Sequence, residues 1–128
     1  NHSISELIDN TLAKNKIKTI SIINENNLSA DDCVIITRVF LQKCKKLLNL
    51  IKDYNQNKDL NKTILNSKPP IFWKDREIIK RQITKWKIQD VYNLIFDLNE
   101  IELQIKKNFN TSVNIVMNFL LEKADNKS

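Results

Sequence analysis

The chain has 128 residues, of which 41% are hydrophobic, and a formal net charge of +6, which suits a single domain, residues 1–128, with a core of its own. It contains no glycine, so the glycine loops of P-loop and Rossmann nucleotide enzymes are excluded, and asparagine is predicted to make the left-handed turns. The longest apolar runs are about four residues, which predicts a cytoplasmic protein without signal peptide, membrane span or membrane partner.

Apolar residues recur at helical spacing almost from end to end, and no stretch alternates as a strand would. Ser3 with Glu6 is typical of a capping box that opens a first helix, to about Lys14. A short second helix ends at Asn26-Asn27. Its inner face is predicted to hold Ile17, Ile20 and either Ile22 or Ile23.

A second capping box, Ser29 with Asp32, opens the longest helix, which runs to about Tyr54. Its apolar stripe comprises Ile36, Phe40, Cys44, Leu47, Ile51 and Tyr54, and is widened by Val34, Leu41 and Leu48. So wide a stripe predicts a central helix that touches several others. Cys33 and Cys44 lie about 16 Å apart on this helix, too far for a disulfide, and are interpreted as reduced core residues.

The remaining pattern predicts four more helices. The first is a short helix that closes at Pro69 and is indicated by Leu60, Ile64 and Leu65; the second is basic and reaches Trp86. The third, Ile88 to Lys107, has Ile88, Val91, Ile95, Leu98 and Ile105 inward, with Glu102 and Lys106 spaced for an ion pair. The last runs from about Thr111 to Lys123, before a frayed polar end, Asp125 to Ser128. The sequence therefore predicts an all-α bundle of about seven helices.

Both tryptophans and both prolines lie between Pro69 and Trp86, and the stretch from Lys68 to Lys87 carries a charge of +5. The block has three interpretations: a solvated surface, a phosphate-binding surface of nucleic acid, or a subunit interface anchored by aromatic and arginine side chains. For the last two, the candidate residues are Phe72, Trp73, Lys74, Arg76, Arg81 and Lys85. Trp86 is also compatible with a place in the core.

Phe109 is a candidate for stacking on DNA bases, because it follows Lys106 and Lys107 in the predicted turn between the last two helices. The alternative is that Phe109 packs on the following helix, with Asn110 as its N-cap. No catalytic residue, metal site or cofactor is predicted, since the chain has one histidine, two cysteines and no arranged acid–base pair.

The block resembles a known family through several residues in order. These are Pro69-Pro70-Ile71-Phe72-Trp73-Lys74, then Gln82, then Lys85-Trp86, then Glu102 four before Lys106. Together they resemble the C-terminal domain of the delta subunit of the bacterial DNA polymerase III clamp loader. The resemblance covers nearly the whole chain, because the first 60 residues also follow that family's order of helix, short helix and long helix.

This resemblance implies a non-catalytic collar domain in the cytoplasm of a bacterium, within the DNA polymerase III holoenzyme. The implied partners are loader subunits of the gamma/tau and delta-prime types and primed-template DNA, with the sliding clamp reached only through N-terminal AAA+ modules that would precede Asn1. The competing hypothesis is a free-standing basic, helical nucleic-acid-binding protein. A reading frame that continues upstream of Asn1 would favour the collar.

Overall fold

Seven α-helices and two short 3₁₀ turns make up the fold in the computed structural model, which describes residues 2–126. In chain order the helices are α1 (His2–Leu12), α2 (Lys16–Glu25), α3 (Ala30–Asn57), α4 (Leu60–Leu65), α5 (Arg76–Lys85), α6 (Ile88–Lys107) and α7 (Ser112–Lys123). The 3₁₀ turns, Trp73–Asp75 and Phe109–Thr111, directly precede α5 and α7. Because residues 2–126 contain no strand, the predicted all-α fold is confirmed.

Helix α3 is the centre of the bundle, as its wide apolar stripe predicts. It packs against α1, α4, α5, α6 and α7. Its start is fixed by the predicted capping box: the Ser29 hydroxyl accepts from the Asp32 N–H at 3.1 Å, and the Asp32 carboxylate accepts from the Ser29 N–H at 2.9 Å. Ile36, Phe40, Cys44, Leu47 and Ile51 are all buried in the core.

Both cysteines are buried on α3 and are free thiols. Burial raises the pKa of the Cys33 thiol to about 11, with a further contribution from Asp32, and burial raises that of Cys44 to about 12. Both side chains therefore stay protonated near neutral pH and pack as small apolar groups.

Helix α2 turns a different face to the core from the one predicted. Ile17 is 85% exposed and Ile20 is 38% exposed, whereas Thr19 and Ile22 are buried. The prediction is therefore wrong for Ile17 and Ile20 and confirmed for Ile22. Threonine is tolerated in the core here because its hydroxyl donates to the Asn15 carbonyl at 2.8 Å.

Other corrections concern helix ends and single core positions. Helix α1 already includes Ser3, so this serine is not the N-cap. Helix α5 begins only at Arg76, after the 3₁₀ turn, which leaves Phe72 outside any helix. On α6, Leu94 is buried at 1% exposure, while the predicted core residue Ile95 is only half-buried.

The predicted frayed end begins at Asp125, but this residue contacts the rest of the fold: its carboxylate lies 3.7 Å from the Lys16 ammonium. Ala124 is fully buried. The part of the predicted frayed end at 127–128 lies outside the described residues.

The left-handed turns fall on lysine rather than on asparagine. Among residues 2–126, positive φ angles occur at Lys14 (56°) and Lys58 (59°). Both follow the end of a helix, α1 and α3 respectively, where a left-handed residue closes the last turn. A residue with a Cβ atom pays a steric cost in this conformation.

Replacing Lys58 by glycine should raise the free energy of unfolding by about 0.5 to 1 kcal/mol, because glycine adopts this conformation without that cost. Lys58 is exposed, and its N–H donates to the Tyr54 carbonyl at 2.8 Å, a backbone bond that glycine retains. Urea denaturation measures the change. The matched control is Lys45→Gly in the exposed middle of α3, which should lose about 1 kcal/mol. If both variants lost stability equally, the left-handed turn at Lys58 would be contradicted.

Candidate functional site

Two side chains, one on α5 and one directly after it, donate hydrogen bonds to backbone carbonyls near the end of α1. The Gln82 amide donates to the Asp9 carbonyl at 2.9 Å, and the Trp86 indole N–H donates to the Leu12 carbonyl at 2.7 Å. Gln82 and Trp86 are 4% and 8% exposed. Their role is therefore structural: Trp86 gives the Leu12 carbonyl a partner at the end of the helix, and Gln82 adds a second donor to the Asp9 carbonyl, which also accepts from the Ala13 N–H at 3.0 Å.

The backbone supplies the remaining bonds at the end of α1. The N–H groups of Lys14 and Asn15 donate to the carbonyls of Thr11 and Asn10, each at 3.0 Å. These two bonds form a Schellman motif, with Lys14 in the left-handed position that glycine usually takes.

The Lys14 side chain ties this corner to the end of α7. Its ammonium lies 4.1 Å from the centre of the Trp86 ring and 3.4 Å from the carbonyl oxygens of both Lys123 and Asp125. Burial and the nearby Lys123 charge lower the pKa of Lys14. Lys14 therefore links three helix ends and is part of the fold.

The sequence-predicted basic block is divided by the structure into two separate surfaces. At the start of α5 lies the aromatic pair, Phe72 and Trp73, which are 57% and 66% exposed with ring centres 5.9 Å apart. The Lys74 ammonium lies 5.5 Å from the centre of the Trp73 ring. These three side chains are open to a partner.

The aromatic pair stands beside a cleft of about 380 Å³ between α1, α3, α5 and the segment 67–72. The buried Leu47 and Leu50 form part of its apolar lining, and Phe72 belongs to its lining as well. Asp9 and Lys43, an ion pair at 2.8 Å with both side chains largely buried, add fixed charges. The cleft thus offers an apolar recess next to exposed aromatic rings.

Arg76 is less accessible than the sequence predicted. The residue is half-buried, and its Nε atom is buried without a hydrogen-bond partner. Reversing its charge would disturb the fold itself, so Arg76 is a poor probe of an interface.

The other end of α5 belongs to a basic groove. Arg81 and Lys85 are exposed and line an open depression of about 710 Å³ together with Lys14, Lys16 and Asp125. The groove has an excess of positive charge and lies apart from the cleft that Phe72 lines. The sequence pattern therefore joined residues that the fold assigns to different surfaces.

The predicted stacking residue Phe109 is 45% exposed and lies in the 3₁₀ turn before α7. Asn110 is not the N-cap of α7, as the alternative expected, since Asn110 is inside that turn and Thr111 precedes α7. Lys106 and Lys107 are both exposed, and the Lys106 ammonium lies 3.6 Å from the Glu102 carboxylate, as their spacing predicts. DNA stacking by Phe109 stays a prediction.

Sequence reasoning missed the outer face of α6, where Tyr92, Phe96 and Leu103 are exposed. The signal was present: these residues recur at intervals of four and seven, on the side opposite the predicted inner stripe. An amphipathic helix with a second apolar stripe has a surface that its own fold does not cover.

Among residues 2–126, no group of three or more histidine, cysteine, aspartate or glutamate side chains is arranged to hold a metal ion. No helix in the same range is long and apolar enough to cross a membrane. Comparisons of the chain with protein-family models, curated proteins and solved structures each found no match.

Proposed function

We propose that this chain is the non-catalytic collar domain of a delta-like clamp-loader subunit, which holds a hetero-oligomeric DNA polymerase III clamp loader together. Its partners are then loader subunits of the gamma/tau and delta-prime types. The proposal is supported by the resemblance along Pro69–Lys106 and by the all-helical fold. Gln82 and Trp86, which carry part of the resemblance, have a clear structural task in closing α1.

The observation that carries the assembly role is the exposed aromatic pair beside the cleft. Phe72 and Trp73 present a large apolar area to solvent although their ring faces are tilted towards each other by 53°. Aromatic side chains that stand next to a recess are the usual anchors of protein interfaces. A neighbouring subunit that covers the pair and fills the cleft would bury both.

The double variant Phe72→Ser, Trp73→Ser should abolish or strongly weaken assembly with the loader subunits, by about 2 kcal/mol or more, because interface aromatics dominate binding energy. The mass of the complex, measured by light scattering after mixing purified subunits, reports the loss. Because both residues are exposed, thermal unfolding of the isolated chain should stay nearly unchanged.

The matched control for this experiment is Ile17→Ser, Ile35→Ser, which removes two exposed apolar side chains elsewhere on the surface. This control should assemble normally. Assembly that survives loss of the aromatic pair would contradict the proposed interface.

The free-standing nucleic-acid-binding protein is favoured by a different observation, the basic groove at Arg81 and Lys85. Charge reversal at Lys74 and Arg81, both exposed, tests both ends of the basic block and leaves the half-buried Arg76 unchanged. Weakened assembly supports the collar, whereas intact assembly with loss of salt-sensitive DNA binding supports the alternative.

A further inference from the structure

The outer face of α6 carries an apolar stripe that no other part of the described chain covers. Phe96 is 64% exposed, Leu103 51% and Tyr92 44%. The stripe lies opposite the buried face of the helix, which includes Val91, Leu94, Leu98 and Ile105. Its exposure is therefore a consequence of the packing of α6, not of a frayed end.

A row of cations on α3 runs beside this stripe. Arg38, Lys45 and Lys52 are all exposed and follow one another at intervals of seven, which places them along one edge of the helix. The Lys52 ammonium lies 5.6 Å from the centre of the Tyr92 ring, which locates this edge next to α6. Cationic and aromatic side chains therefore share one surface.

The two helices run in opposite directions, so the surface is extended. Lys52 is near the end of α3, whereas Tyr92 is near the start of α6. The turn Phe109–Thr111, after the end of α6, still contacts α3. At 1.5 Å per residue along α6, this turn lies about 25 Å beyond Tyr92. Because α3 extends only a few residues past Lys52, the turn can contact α3 only on the part that precedes Lys52, so the two helices are antiparallel. The turn that carries Phe109, and the end of α6 with the exposed Lys106 and Lys107, therefore lie at the far end of the α3–α6 pair.

We propose that this α3–α6 surface binds single-stranded nucleic acid. Phosphates would lie along Arg38, Lys45 and Lys52, and bases would stack on Tyr92, Phe96 and Phe109. Backbone cations beside a track of aromatic faces are the arrangement that single strands bind, without dependence on sequence. The assignment places the sequence-predicted Phe109 at one end of a longer site.

The charges favour nucleic acid over a protein partner. An apolar protein interface would bury the row of cations without a counter-charge, which is costly. Of the carboxylates on α6, Glu102 is paired with Lys106 at 3.6 Å and Asp97 lies 3.4 Å from the Lys123 ammonium. Glu100 is exposed beside the stripe, so the three cations of the row still outnumber it. A phosphate backbone supplies the missing negative charge.

The test uses the isolated chain and a fluorescein-labelled oligothymidylate of about 16 nucleotides, the upper end of the site sizes of single-strand-binding folds. Fluorescence anisotropy measures the affinity as a function of salt. Tyr92→Ser with Phe96→Ser should weaken binding about 30-fold or more, and Phe109→Ala about fivefold or more. The control Phe72→Ser, Trp73→Ser removes two exposed aromatic rings from another surface and should stay within about threefold of the unaltered chain.

The cations are tested separately. Lys45→Gln with Lys52→Gln should reduce the slope of log affinity against log salt by about 1.4, or about 0.7 for each lost cation. Lys46→Gln with Lys62→Gln makes the same change of charge at other exposed positions and should leave the slope unchanged. Circular dichroism checks that each variant is folded.

Three results would overturn the proposal. The first is no binding of the oligothymidylate by the unaltered chain at low salt. The second is an equal loss in the matched variants, which would indicate diffuse attraction by net charge. The third is loss of subunit assembly with unchanged oligothymidylate affinity in the Tyr92, Phe96 variant, which would identify a protein interface. Since the oligothymidylate experiment needs no loader subunit, its result is independent of the proposed assembly role.

Discussion

Truncation of Phe40 to alanine should lower the free energy of unfolding by about 3 to 5 kcal/mol, the range for large aromatic side chains in a closed core. Phe40 is 1% exposed in the middle of α3, and its ring centre lies 6.0 Å from that of Phe119 on α7. The loss includes the apolar transfer energy, this ring contact and the cavity left in the most connected helix of the bundle.

Urea denaturation followed by circular dichroism measures this loss. The control Ile35→Ala lies on the same helix but is 46% exposed, and should lose less than about 1 kcal/mol. A loss below about 1 kcal/mol for Phe40→Ala would show that α3 is not the structural centre.

Removal of the Trp86 side chain should be similarly costly. Trp86→Ala should lower the free energy of unfolding by about 3 to 5 kcal/mol, because it empties a buried site. It also leaves the Leu12 carbonyl without its indole donor and removes the ring under the Lys14 ammonium. The same denaturation measurement applies, with circular dichroism as the signal because a tryptophan is lost.

Two further variants separate the causes of the Trp86 effect. Trp86→Phe keeps most of the apolar volume and should lose about 1 to 3 kcal/mol for the unpaired carbonyl. Trp73→Phe changes the exposed tryptophan and should stay within about 0.5 kcal/mol of the unaltered chain. Equal losses at the two tryptophans would contradict the assignment of Trp86 to the core and Trp73 to the surface.

Local signals made the positions of the helices predictable. The Ser29 capping box sets the start of α3 with bonds between residues three apart, so its effect is visible in the sequence. The wide apolar stripe around Phe40 likewise predicted a helix that packs against several others. Such features depend only on residues within a few turns of one another.

Features that depend on distant partners were not predictable. Gln82 and Trp86 donate to carbonyls 73 and 74 residues earlier, and no periodicity reveals such a bond. Lys14 adopts a left-handed conformation, and its ammonium contacts the Trp86 ring and the Lys123 carbonyl at the end of α7. Both partners are distant in the sequence.

The candidate surfaces were only partly predictable for a related reason. Apolar periodicity shows which side chains prefer burial, but not whether the fold provides a neighbour to bury them. Phe96 was therefore missed as a surface residue, and Ile17 was assigned to the core although it is 85% exposed. Charge counting along the chain likewise joined Lys74, which lies beside the Trp73 ring before α5, and Arg81, which lines the basic groove.

The closure of α1 by α5 has a consequence for the order in which the protein folds as the ribosome makes it. Within these 128 residues, α1 and its corner with α2 leave the exit tunnel before α5 does, so the side-chain donors to the Asp9 and Leu12 carbonyls emerge only later, with Gln82 and Trp86. Until then the end of α1 has only local bonds, among them those from the N–H groups of Ala13, Lys14 and Asn15. A nascent chain that stalls before residue 82 should therefore expose the α1–α2 corner to proteases, and release of the next few residues should protect it.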